Sequence, residues 1–295
     1  MRAQISMLPD GRRLHLQDGP IDVIIEAFGG RGEITAAYHA AVIRFQSVLD
    51  ELCSELPLLR MPAGPRTPMP KGTIARRMAI AVAPYVGRTF ITPMAAVAGA
   101  VAEEILGAMT WVAQLPKVYV NDGGDIALDL SDGNQFSVGL IDRPDRPSLF
   151  GTAVLHADDA IRGIATSGWR GRSFSLGIAD AVTVLAHAAS AADAAATIIA
   201  NAVDLPGNPK IERASARSLA PDSDLSDLLV TRSVAELSSD EINFALDRGI
   251  TLADQLRAEG LIHSAALRLQ GETRIVTTKQ EFAPQAEGLG SFAHA

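Results

Sequence analysis

The sequence is short of three things, and each shortage narrows the field. It holds one cysteine, Cys53, in 295 residues, so no intrachain disulfide can form and no cysteine zinc cage can be built. Such a chain suits a reducing compartment, and the cytoplasm is the expected location. Aromatic residues make up 5% against 47% hydrophobic; the apolar content is therefore aliphatic and small, and too high for a disordered chain. Cationic runs are missing as well. The 26 basic and 34 acidic residues give a formal charge of −8, and no stretch of Lys and Arg resembles a groove that tracks phosphates. Nucleic acid is therefore not expected as a partner. The most apolar window, residues 93–102, is about ten residues long and ends at Glu103 and Glu104, against the roughly 20 that a bilayer span needs. Residues 1–16 lack the apolar core and small-residue cleavage site of a secretory signal. A soluble protein with no membrane partner is expected.

At roughly 150 residues per domain the length allows one large unit or two ordinary ones. No period of 20 to 50 residues emerges, which excludes a repeat architecture. The expectation is a single α+β unit over 1–295, with 204–295 either a second lobe or a return onto the first, and 279–295 a loose tail.

Around Pro9-Asp10-Gly11 two short strands are expected over residues 4–16, glycine supplying the positive φ of the turn. The branched run 21–27 reads as a third strand, stopped by Gly29-Gly30. From Glu33 the period changes. Tyr38, Ala41, Val42, Phe45, Val48, Leu49 and Leu52 recur at three and four, an amphipathic helix that Pro57 stops. The proline-rich, basic stretch that follows is a loop at least through Lys71. Thr92-Pro93 opens a second helix, with threonine as N-cap and proline at the first helical position. Residues 118–120, 126–130, 135–141, 149–155 and 181–185 read as strands of an antiparallel meander. Residues 190–203 form an alanine-rich helix. Beyond it, 204–240 read as a polar connection, 240–246 and 251–259 as two short helices, and 261–269 with 274–278 as a terminal strand pair.

Tests for common sites fail. Gly29-Gly30-Arg31-Gly32 has no third glycine three positions on, as a dinucleotide fingerprint requires. Lys71-Gly72-Thr73 reverses the Gly-Lys order of a phosphate-binding loop. No two of the six histidines stand at metal-binding helical spacing, and no Gly-x-Ser-x-Gly elbow is present.

Three segments survive. Asn121-Asp122-Gly123-Gly124-Asp125 lies between two strands; it is a hairpin turn, or a place where adjacent glycines expose backbone N–H groups to a phosphate or flavin ring. Thr166-Ser167-Gly168 ends another strand as a polar loop or an anion-binding edge. Ser190 to Asp193 reads as a helix start in which serine caps and aspartate offsets the dipole. Thr197 stands one turn after Asp193, which places a carboxylate and a hydroxyl on one face, and Mg²⁺ takes one or two such hard oxygens beside water and phosphate oxygens.

In this order, Asn-x-Gly-Gly-Asp, then Thr-Ser-Gly, then Ala-Asp-Ala-Val-Thr-Val and Ala-Asp-Ala-Ala-Ala-Thr, the chain resembles the FAD:protein FMN transferase family, the ApbE-like superfamily. The resemblance covers about residues 93–203. It implies an ApbE-like (T-fold-like) α+β fold of largely antiparallel sheets packed with helices. It also implies a flavin nucleotide, FAD or FMN, at Asn121, Gly123, Gly124, Asp125, Thr166, Ser167 and Gly168, with Mg²⁺ at Asp193 and Thr197. Family transferases carry a Met-Gly-Thr segment and a His-x-x-Asp-Pro-x-Thr-Gly segment. This chain has neither, and its Ser-x-Gly-x-Ala-Asp pattern at 175–180 resembles a shorter branch of the superfamily.

As a transferase it would cleave the FAD pyrophosphate with Mg²⁺ and pass FMN to a Ser or Thr hydroxyl of an acceptor protein. Asp180 is the extra carboxylate placed to act as base, with Arg170, Arg172, Arg66 and Lys71 as phosphate partners or as solvated surface charge. The alternative is a binding protein for a flavin, a pterin-type or a similar phosphorylated cofactor, without turnover. The small apolar helices also suggest a homodimer.

Overall fold

A computed structural model describes residues 3–141, 149–277 and 282–284. Strands β1 (Gln4–Met7), β2 (Leu14–Asp18) and β3 (Ile21–Phe28) form the expected antiparallel start, with Gly11 at φ 65° in the first turn. Helix α1 (Arg31–Ser54) buries Ala37, Ala41, Phe45, Val48 and Leu52, a single stripe at helical spacing. A short turn, α2 (Leu56–Leu59), and the proline loop lead to α3 (Thr73–Val82). A 3-10 turn at Pro93–Ala96 then runs into α4 (Val97–Val112).

Strand β4 (Lys117–Asp122) adds to β3, and β5 (Asp125–Leu130) folds back on it. β6 (Gln135–Ile141) and β7 (Leu149–His156) leave this sheet; β8 (Gly163–Ser167) and β9 (Ala181–Ala186) rejoin it. After α5 (Ala189–Ala202) come β10 (Ile211–Ser215), α6 (Ala216–Leu219), β11 (Leu229–Val234) and α7 (Ser239–Ala258), then β12 (Ser264–Leu269), β13 (Glu272–Val276) and β14 (Phe282–Pro284). The main sheet has nine strands in the order β1-β2-β3-β4-β5-β8-β9-β12-β13, beside a β14-β7-β6 sheet and a β10-β11 ribbon. All of these pairings are antiparallel. The protein is α+β, as expected.

Helices cover one face of the main sheet. The other face is met by the β6-β7 sheet through Leu128, Leu130, Leu155, Ile164 and Leu185. β9 is consequently buried on both sides: Val182, Val184 and Ala186 face the helices while Leu185 faces the second sheet. A strand covered on both faces reads as a continuous apolar run, and Ala181–Ala186 does.

Several expectations need correction. The meander is interrupted, because β6 and β7 build a separate sheet and β12 inserts beside β9. Residues 204–240 are not merely a connection; they contain the β10-β11 ribbon. The two short C-terminal helices are one continuous α7, started by a capping box between Ser238 and Glu241; Gly249 in its middle does not break it but lets it press on Val203 and Leu267. Thr92 makes no capping bond, its hydroxyl donating instead to Asp224. Most of 279–295 lies outside the described residues. Residues 93–112 are, over 20 residues with mean hydropathy 1.3, long and apolar enough to cross a membrane. Here they serve as a core helix. Gly99, Ala100, Val101, Ala102, Ile105 and Met109 are buried, and Glu103 and Glu104 pair with Arg77 at 2.9 and 2.8 Å.

Alanine and glycine set how closely these parts approach. α5 buries nine of its residues, six of them alanine, and a Cβ on Gly163 would stand 2.1 Å from the backbone of Ala188, one on Gly177 2.0 Å from the carbonyl of Ala200. The small face of α5 thus packs inside the chain. Two glycine substitutions separate packing from propensity. Gly177→Ala collides with backbone that cannot yield and should cost about 2 kcal/mol or more. Gly107→Ala, exposed in α4 with nothing within 4 Å, should stabilise by about 0.5–1 kcal/mol. Denaturant unfolding of the two variants checks both signs.

Candidate functional site

The sheet order β4-β5-β8 brings the hairpin and the Thr-Ser-Gly segment together, and α5 lies above them. Asp122 and Asp125 are register partners closing a two-residue turn, in which Gly123 and Gly124 adopt φ of 63° and 115°. Both lie in the left-handed region that a Cβ disfavours. Asn121 Oδ1 accepts the Gly124 N–H at 2.8 Å, so asparagine shapes the turn. A Cβ on Gly123 would lie 3.5 Å from the Arg172 guanidinium, whereas Gly124 has nothing within 4 Å. The hairpin reading holds, and one of its two glycines faces open space.

Asp125 Oδ1 accepts the Thr166 N–H at 3.2 Å, and the Thr166 and Thr183 hydroxyls share a hydrogen bond of 2.9 Å. These bonds tie the end of β8 to the hairpin. Ser167 is half-buried beside Val182. Gly168 serves a different need: a Cβ there would stand 2.4 Å from the Asp180 carbonyl, so it is a backbone crossing point. Asp180 is occupied. It accepts from Trp169 Nε1 at 3.2 Å, Arg170 Nε at 2.9 Å and the Gln270 N–H at 2.6 Å, while Arg170 also stacks on Trp169 at 4.2 Å. Arg172 is exposed, 3.9 Å from Asp22.

α5 contributes Asp193. Ser190 does not cap this helix, whose N-cap is Ala188 without a side-chain bond. Asp193 does not offset its own helix either. Its Oδ2 accepts the Gly99 N–H at 3.1 Å and its carboxylate also takes the Ala98 N–H, so it caps the N-terminus of α4. Glu103 of α4 returns the service, its Oε1 accepting the Ser190 N–H at 2.6 Å. Thr197 follows one turn beyond Asp193, partly buried.

The site is electrostatically unbalanced. Burial, against the Asp22 N–H and Arg172, pushes Asp122 up to about 7. Burial and the charge of Asp122 raise Asp125. Burial and then the charge of Asp125 raise Asp193, outweighing the α4 amides. Asp122, inside the motif but passed over in the sequence reading, is thus part of the cluster. Among the described residues no three His, Cys, Asp or Glu converge closely enough to hold a metal by themselves. A Mg²⁺-type ion does not need three; hard carboxylate oxygens in charge excess match its chemistry, with water and phosphate completing the shell.

The fold and site together define an α+β protein carrying a glycine hairpin beside an acidic cluster of buried Asp122 and half-buried Asp125 and Asp193. A family model described as "AbpE bacteria" matches residues 5–275. The chain belongs to that family, in agreement with the resemblance read from its motifs. It is also 37% identical over 173 residues to a UPF0280 protein of Methanosphaerula palustris, covering 55% of this chain and 66% of the relative. It is 40% identical over 128 residues to a UPF0280 protein of Methanopyrus kandleri, covering 43% and 48%. The matched stretches thus span about half to two thirds of these relatives. Among solved structures, the apo crystal structure of the flavinyl transferase ApbE of Pseudomonas stutzeri aligns with a TM-score of 0.41 and 11% identity over 94% of each chain.

The raised acids have a signed consequence. A carboxyl whose folded pKa exceeds its unfolded value stabilises the fold at low pH and loses that contribution as pH rises through the folded pKa. For Asp122 the window runs from near 3.8 to about 7. In the presence of a chelator, melting temperature should fall by roughly 5 °C between pH 5 and pH 8. Asp122→Asn should flatten the slope in a thermal melt series.

Proposed function

We propose that the chain is a Mg²⁺-dependent flavin-nucleotide-handling protein that transfers FMN from FAD to a protein Ser or Thr hydroxyl. The observation that carries this reading is the juxtaposition of an open glycine, Gly124, with Asp125 and Asp193, two half-buried carboxylates whose charges oppose each other. Asp193 and Thr197, with Asp125 behind them, are the oxygens that would hold Mg²⁺, which when bound supplies neutralisation of pyrophosphate charge. The family membership supports the same reading.

The chain's own groups have distinct tasks. Gly123 and Gly124 leave backbone accessible to a planar or phosphorylated ligand, Thr166 and Ser167 offer hydroxyls at the end of β8, and exposed Arg172 can pair with a phosphate. In the transfer the acceptor oxygen bonds to the FMN phosphorus, the pyrophosphate P–O bond breaks, and AMP leaves with the bridging oxygen. The acceptor's proton goes to a base. For Asp180 to be that base it must first be released by Arg170; while bound to Trp169, Arg170 and Gln270, it positions the 169–172 turn instead.

A second reading is a cofactor-binding protein without turnover. It is favoured by the absence of the two family segments and by Gly168, which is closed against backbone where a ligand edge was expected. Incubation with FAD, MgCl₂ and an acceptor protein separates the two. The transferase predicts AMP release and in-gel flavin fluorescence on the acceptor, both falling at least 100-fold in Asp193→Ala and without Mg²⁺. Intact FAD retained without AMP identifies the binder. Absence of both products and of FAD affinity rejects both readings.

A further inference from the structure

Apart from the hairpin cluster, a cavity of about 620 Å³ opens between α3, Glu103 of α4 and the first residues of α5, and it shares no lining residue with the hairpin site. Its size falls within the range of small-molecule sites. One face of α3 runs along it. Thr73, Arg76, Arg77, Ile80 and Ala81 follow at three and four, and Pro84 continues the wall, so the wall is cationic at its start and apolar at its end. From Arg76 to Pro84 it spans roughly 12 Å at helical rise.

The charges are available. Arg77 is committed to Glu103 and Glu104, but the Lys71 ammonium and the Arg76 guanidinium have no ion-pair partner among the described residues. Both are exposed. In the cavity lining Lys71, Arg76 and Arg77 meet one acid, Glu103, while Glu55 nearby is taken up by the Lys71 and Gly72 N–H groups at 2.7 and 2.6 Å. Two hydroxyl-bearing side chains in the wall are more than nine-tenths buried, Tyr85 at 3% exposed and Ser190 at 4%, and neither hydroxyl hydrogen-bonds among the described residues. Burial pushes the Tyr85 phenol up, so it remains a donor. Neither hydroxyl oxygen is itself sealed from solvent, so each is open on the cavity side, where a ligand oxygen can bond it.

We propose that this cavity binds an organic phosphate. Arg76, Lys71 and the Ser190 hydroxyl hold the phosphate, and Ile80, Ala81 and Leu261 cover an apolar body to which Tyr85 Oη donates. The cavity is separate from the hairpin site; Lys71, grouped in the sequence with phosphate partners of that site, lines this cavity instead.

The test titrates the full chain with 4-methylumbelliferyl phosphate, a fluorescent aryl phosphate, by isothermal calorimetry at low salt, with 4-methylumbelliferone as the uncharged control. The expected result is phosphate-dependent binding that weakens tenfold or more in Lys71→Ala/Arg76→Ala and several-fold in Tyr85→Phe. It should be displaced by inorganic phosphate and unchanged in Arg172→Ala. Melting curves establish that the exposed-site variants fold. No binding by the wild type at millimolar probe overturns the proposal. So does full affinity in Lys71→Ala/Arg76→Ala, or loss of binding in Arg172→Ala alone, which would place the probe at the hairpin.

Discussion

The N-termini of α4 and α5 touch, with Gly99 so close to Ala189 that a Cβ would stand 2.4 Å from its carbonyl oxygen. Two helix N-termini carry like partial charges and unbonded N–H groups, and bringing them together is unfavourable unless acceptors intervene. Each helix supplies the acceptor the other needs: Asp193 of α5 takes the Ala98 and Gly99 amides, and Glu103 of α4 takes that of Ser190. Charge-assisted bonds of this kind are stronger than neutral ones. Removing either carboxylate would leave buried donors without partners as well as two repelling dipoles.

The composition follows from that contact. A helix seated so deeply can carry little beyond small residues: 8 of the 14 residues of α5 are alanine, and Gly163 and Gly177 make room where neighbouring backbone crosses. The shortage of aromatics is therefore a steric demand of one helix and its neighbours. It also places Asp193 where it is both a cap and a member of an acidic cluster. The α4 amides favour its charge, whereas burial and Asp125 oppose it, and the opposition prevails.

Much of this was legible in residue order. The strands of the first sheet half, α1 and α5 were readable because period and turn residues agreed, and Gly123-Gly124 turned as their type predicts. Long-range facts were not legible. That Asp193 caps another helix depends on α4 passing within reach, 94 residues away in sequence. That Asp180 is held by Arg170, Trp169 and Gln270 depends on β12 inserting beside β9. Asp122 was visible in the motif but could not be weighed, since its burial is a property of the folded hairpin beside Asp22. That the helices expected at 240–246 and 251–259 are one was not legible either, because Gly249 between them owes its place to packing on Val203 and Leu267.

The net charge of −8 conceals a segregation imposed by the same helix pair. α4 and α5 each donate an acid inward at their contact. On the Asp193 side the neighbouring strands bring two more carboxylates and one exposed arginine, so negative charge accumulates and protons are retained. On the Glu103 side α3 brings Arg77, which pairs with Glu103 at 2.9 Å and with Glu104 at 2.8 Å. Lys71 and Arg76 keep unpaired side-chain charges there, with the nearby Glu55 carboxylate bound to backbone N–H groups, so the cavity lining is positive. A single structural requirement, two acceptors for two helix ends, thus produces opposite electrostatics at two places according to which element is packed alongside. Neither sign could be inferred from composition, because the counts of acid and base sum over both.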